Sequence, residues 1–204
     1  MLKRYDLRSD RMQGLEGWAI IVIDTEIGYF STVSDWGNYA YVWSCPGEEF
    51  RKFLLGCDAY YLHGKLMSGR PDREVFDGDR TKAAIVEAVE ERNKEYQEAH
   101  GVPWPEYEHE KELLEHSIDE RIEFEDWIRQ TKLTDPWEYG RTIPQPQCMQ
   151  FCKKIIPRFK DMLREELTKE QATAKAWAEE TAAEFKHRVE EAYGITIPSK
   201  KATP

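Results

Sequence analysis

Between Gly17 and Trp43 the chain reads GWAIIVIDTEIGYFSTVSDWGNYAYVW, three β-rich runs separated by turn formers, and an antiparallel meander is the architecture that accommodates this order. Gly17–Asp24 carries β-branched residues on successive positions, which predicts a central strand covered on both faces. Ile27–Ser34 follows as a second strand, ending at the turn formers Ser34–Asn38. In Asn38–Trp43 the period of two places Tyr39, Tyr41 and Trp43 on one face and Ala40 and Val42 on the other. Lys3–Leu7 is short and polar, which suits a fourth strand at the sheet edge.

After Pro46 the apolar period lengthens. Phe50, Phe53, Leu54 and Cys57 recur at helical spacing, so a helix over Glu48–Cys57 is expected to cover the sheet, with a second short helix over Tyr60–Met67. Ser68–Asp79 reads as a loop containing a brief strand at Arg73–Phe76, and Asp79 is placed to cap a helix over 80–99. His100–Pro105 stops that helix. Glu106–Thr131 has no Gly or Pro and repeats Leu114, Ile118 and Ile122, which predicts one helix about 39 Å long.

Thr134–Pro146 is expected to be loop. A helix then resumes at Cys148 with Phe151, Cys152, Ile155 and Ile156 on its apolar face and is interrupted at Pro157. Thr168–Gln171 has the form of a capping box, so a last helix is expected from there to about Tyr193. The fold class is therefore α+β: an N-terminal antiparallel meander of three or four strands packed by short helices, then a mainly helical half with a long acidic helix. The expected division is an α+β core over 1–99, a helical insertion or hairpin over 100–167, a C-terminal helix over 168–195 packing on the core, and a disordered tail over 196–204.

Charge narrows the function classes. The net charge is −10, the wrong sign for a protein that grips phosphates directly. Residues 83–130 carry 15 acidic and 5 basic side chains, while 1–82 carry 13 and 11 and 131–204 carry 11 and 13. No apolar run approaches the roughly 20 residues of a membrane span. The first residues lack the apolar core of a secretory leader, so a cytoplasmic location is expected. Cys45, Cys57, Cys148 and Cys152 are expected to be free thiols, the last two buried.

The run GWAIIVIDTEIGYFSTVSDWGNYAYVW, with FRKFLLGCDAYYLHGKL and VFDGDRTKAAI after it, resembles an uncharacterised family of small tailed-phage and prophage proteins. The resemblance covers about 1–95 and resumes at LTKEQATAKAW, which makes about 96–166 an insertion. It implies a phage origin and the sheet with its helices as the family core, and it carries over no functional residues.

No GxSxG, phosphate-binding glycine loop, GxGxxG or HExxH motif is present, and a non-enzymatic role without cofactor is expected. Two weak metal patterns stand beside that reading. His109, Glu112 and His116 fall on one face of the expected long helix. Asp72, Glu74, Asp77 and Asp79 with Lys82 offer carboxylates and a lysine of the kind a metal-dependent hydrolase uses, but not in the Asp/Glu-x-Lys order.

The sharper expectation is a binding face. Glu108, Glu112, Glu115, Asp119, Glu120, Glu123 and Asp126 along one helix would present a row of carboxylates to a basic groove, with Trp36 as an exposed aromatic contact. The partner expected is a host protein or complex, of the basic nucleic-acid-handling kind, bound and inhibited without direct contact to nucleic acid or membrane. A competing expectation is that the basic cluster Lys153, Lys154, Arg158, Lys160 and Arg164 neutralises this helix within the chain. The alternative function is self-assembly through Leu114, Ile118, Ile122, Phe151 and Ile155, giving a homo-oligomer.

Overall fold

The structure is a computed structural model that describes residues 1–9 and 16–194; the tail over 196–204 lies outside the described residues. Four strands form one antiparallel sheet in chain order: β1 (Leu2–Leu7), β2 (Ala19–Asp24), β3 (Tyr29–Ser34) and β4 (Gly37–Val42). Tyr5 pairs with Ile21, Ile21 with Thr32 and Thr32 with Tyr39, so these side chains make one row on the inner face. That face is buried, with Ile21 and Ile23 fully enclosed and Phe30 nearly so. Its opposite is not: Ile20 and Val22 are half-buried and Val33 is exposed. The expectation that β2 is covered on both sides is corrected here, because a single layer of helices packs on the sheet and, among the described residues, none crosses its outer face.

That layer is built from α1 (Phe50–Gly56), α2 (Ala59–Leu66) and the C-terminal helices. Glu49 and Asp58 cap the two short helices, accepting from the amides of Lys52 and Tyr61. α6 (Pro146–Gln150), a π-helical turn over Phe151–Ile155 and α7 (Ile156–Tyr193) then follow without a break. Pro157 was expected to interrupt this rod. A proline has no amide to give the preceding turn and its ring crowds that turn's carbonyl; the widened π turn immediately before it absorbs both. Phe151, Ile155, Phe159 and Leu163 from this rod fill the space under the sheet, Phe159 edge-on to Tyr5 at 5.0 Å and to Phe30 at 6.1 Å. Cys148 and Cys152 are free and buried there, as expected.

Thr168 does not begin a helix. Its hydroxyl donates to the carbonyl of Arg164 at 2.8 Å, a bond made inside a continuing helix, and the expected separate C-terminal helix is the far end of the 38-residue α7. From Gln171 to Phe185 every side chain of α7 is exposed, so this stretch stands away from the core instead of packing on it.

Residues 74–144 form a second lobe with its own core. β5 (Glu74–Phe76) pairs with β6 (Thr142–Pro144), closing the lobe with a two-stranded neck; β6 and a 3₁₀ turn at Pro136–Tyr139 occupy the expected 134–146 loop. Between them lie α3 (Gly78–His100), α4 (Tyr107–Glu115) and α5 (Arg121–Gln130), with Ile85, Val89, Leu113, Ile118, Phe124 and Trp127 as the packed interior. Asp77, not Asp79, caps α3 by accepting from the Arg80 amide at 3.0 Å.

The single helix expected over 106–131 is two. α4 ends at Glu115, and a capping box opens α5, in which the Glu123 carboxylate accepts from the amides of Asp119 at 2.7 Å and Glu120 at 3.0 Å. Ser117 helps by donating to Asp119 at 2.6 Å. These short polar side chains satisfy the backbone outside a helix, and Ile118 drops into the core at the bend. Gly78 permits the approach, since a Cβ there would lie 2.5 Å from the Ile118 carbonyl oxygen. Ile122, read as part of the same apolar row, is 62 % exposed as a result.

Candidate interaction surfaces

The neck sharpens the charge asymmetry. Residues 74–144 carry 20 acidic and 9 basic side chains, and the rest of the chain carries 19 and 20. The body is thus near neutral and the lobe strongly negative. On α4 the side chains of Glu108, Glu112 and Glu115 are exposed and succeed one another by about a helical turn, so they share one face. Glu108 approaches Lys111 only at 4.0 Å.

The other expected acids do not continue this row. Asp119 and Glu120 lie in the bend, Glu123 is occupied in the capping box, and Asp126 on α5 pairs with Arg129. Trp36 is half-buried against the body core with its ring nitrogen enclosed, and its carbonyl accepts from the Tyr39 hydroxyl at 2.5 Å, so it shapes the β3–β4 turn.

The basic cluster that would have neutralised the acids is engaged elsewhere. Lys154 pairs with Glu16 at 2.7 Å, and Arg158 donates to the carbonyls of Glu16 at 3.1 Å and Gly17 at 2.8 Å. Lys160 donates to the carbonyls of Leu55 and Cys57 at the end of α1, where cations are favoured. Arg164 pairs with Asp161, and Lys153 lies over the Tyr60 ring.

Glu110 was not singled out by the sequence. It is fully buried, and its carboxylate accepts from the Thr131 hydroxyl at 2.7 Å and the Lys132 amide at 2.6 Å, fastening α4 to the end of α5. Glu110→Ala leaves two part-buried donors without their carboxylate and is expected to cost about 1–2 kcal/mol, measured by urea unfolding. An unchanged midpoint would show that the fastening contributes nothing.

The metal patterns are dispersed. His109 contacts the Gln130 carbonyl at 3.2 Å, while His116 lies past the end of α4. Asp72 pairs with Arg70 at 2.9 Å, Glu74 accepts from Thr142 at 2.8 Å, Asp77 is the α3 cap, and Lys82 donates to the His116 carbonyl at 3.3 Å. Among the described residues no three His, Cys, Asp or Glu side chains converge as a metal site needs.

Also unforeseen is an ionic clamp where α7 leaves the body. Arg51 meets Glu49 at 2.7 Å and both Glu166 and Glu170 at 2.8 Å. Lys3 pairs with Glu166 and, at 3.2 Å, with Glu170, and the Tyr5 hydroxyl donates to Glu166 at 2.7 Å. The one signal in the sequence was that Glu166 and Glu170 prolong the stripe of Phe159 and Leu163, where an acid brought toward the body finds a basic partner favourable. Beyond the clamp Trp177 and Phe185 are each 68 % exposed.

A family model, Phage_phiTE_072, described as a phage family, matches residues 3–165, a span that includes both lobes. No curated protein matches the chain, and neither does any solved structure.

Proposed function

The chain belongs to this phage family, and from that premise we propose that it is a non-enzymatic accessory protein that binds and inhibits a basic host protein, of the nucleic-acid-handling kind, in the host cytoplasm. Among the described residues no helix is long and apolar enough to cross a membrane. The observation that carries the reading is the negative lobe itself: it folds around its own core, exposes Glu108, Glu112 and Glu115 on one helix face, and is not met by the basic cluster of the body. Exposed carboxylates on a firm scaffold raise the encounter rate with a basic groove and reject acidic competitors.

The test is the triple variant Glu108→Lys, Glu112→Lys, Glu115→Lys. These side chains are exposed, so folding should change little. Retention of the host partner in a pull-down is expected to fall at least tenfold, and equal retention by variant and wild type would sink the proposal.

The self-assembling alternative loses the residues first considered for it. Ile118, Phe151 and Ile155 are buried within one chain. Leu114, half-buried, and Ile122, 62 % exposed, are what remains of that row on the lobe surface.

A further inference from the structure

An antiparallel sheet that faces water on one side normally alternates apolar-in with polar-out. The outer face here does not. Ile20 and Val22 sit at its centre on β2, with Val33 and Ala40 beside them, and nothing in the described chain covers them. The charged side chains of this part of the face are Arg4 and Asp6 on β1, paired at 2.8 Å.

We propose that this outer sheet face is the docking surface for a second copy of the chain, packed face to face across a two-fold axis that runs perpendicular to the strands. The choice of occupant follows from the register. Arg4 and Asp6 flank Tyr5, Ile20 and Val22 flank Ile21, and Ser31 and Val33 flank Thr32, while Tyr5, Ile21 and Thr32 are themselves in one row. A two-fold axis over that row therefore lays Arg4 on Asp6 of the second copy and Asp6 on its Arg4. The same operation sets Ile20 on Val22 and Val33 on the small Ser31 of the second copy, large side chain on small. The face is thus complementary to itself in both charge and size, as an isologous contact requires. A partner with one strong sign of charge would find no match on it.

Area fixes the strength. Four strands about 4.8 Å apart and six residues at about 3.3 Å give a face of roughly 19 by 20 Å, about 760 Å² over both copies and below the roughly 1,200 Å² of a stable interface, so the dimer is weak and reversible. The contact leaves the acidic lobe free and does not depend on the function proposed for it.

The experiment is sedimentation velocity on the full chain from low micromolar to several hundred micromolar concentration, with circular dichroism as the check on folding. Wild type is expected to shift from monomer to dimer over this range. Val33→Asp, at a half-exposed position, is expected to remain monomeric. Arg4→Asp sets like charges together across the axis and should weaken association tenfold or more, and Arg4→Asp combined with Asp6→Arg should restore it. Restoration separates a contact between copies from damage to the fold. A wild type monomeric throughout overturns the proposal. So does a dimer indifferent to Val33→Asp, which would place the contact elsewhere, with loss on Trp177→Ala identifying the α7 face instead.

Discussion

Phe159→Ala is expected to lower the unfolding free energy by about 3–5 kcal/mol, the largest effect of any single substitution considered for this protein. Phe159 is 1 % exposed and stands edge-on to both Tyr5 and Phe30, so it joins α7 to two strands of the sheet at once. Its removal forfeits the transfer of a large aromatic side chain and leaves a cavity under a sheet whose other face no described residue layers over. Urea unfolding followed by tryptophan fluorescence and by circular dichroism measures the loss. A change under about 1 kcal/mol would mean that the sheet is not held from below by α7.

Arg51→Met comes second. The arginine side chain is 11 % exposed and holds three carboxylates, from Glu49, Glu166 and Glu170. Methionine keeps much of its volume but leaves those acids facing one another with Lys3 as their remaining base. Complete burial would make the cost about 3–5 kcal/mol; Glu170 is half-exposed, so about 2–4 kcal/mol is expected.

The same clamp predicts a pH dependence. Bonds from Arg51 first, and from Lys3, hold the Glu170 carboxyl at about 2, below its ordinary 4.5. A carboxylate depressed in the folded state binds its proton more readily when unfolded. Its contribution is therefore complete above pH 4.5 and declines as pH falls toward 2. Stability measured across that interval should fall more steeply for wild type than for Arg51→Met, in which Glu170 has lost its main partner. Parallel curves would show that the clamp is not the source.

The parts of the fold that were legible in the sequence are those written in local patterns. The meander followed from the alternation in Asn38–Trp43 and the turn formers on either side of β3, and the strand at Lys3–Leu7 from its short polar character. The helices over 50–56, 59–66 and 78–100 followed from apolar spacing.

What was missed depends on the competition between local and distant terms. Absence of Gly and Pro made 106–131 look like one helix, yet Ser117, Asp119 and Glu123 offer the backbone enough hydrogen bonds to bend, and Ile118 gains a core by the bend. Pro157 looked like a break, but a single widened turn accommodated it. Thr168–Gln171 has capping-box form in any context; only an ordered chain on both sides of it decides that it is interior. Of the expected site, Glu108, Glu112 and Glu115 kept a common face. Trp36 packed half-buried against the body core, and Glu123 went to the backbone. The fate of Trp36 is set by residues far along the chain, to which a spacing rule is blind, whereas that of Glu123 is a local capping box hidden by reading 106–131 as one helix.

The most direct test of the account is a pull-down of the tagged full chain from host lysate at low and at high salt, with duplex DNA added as competitor in a parallel sample and mass spectrometry of the retained proteins. The predicted result is a basic, nucleic-acid-handling protein held at low salt, released at high salt and displaced by the DNA, with the charge-reversed α4 variant failing to hold it. Retention of the same protein by that variant, or binding indifferent to salt and to DNA, would contradict the account.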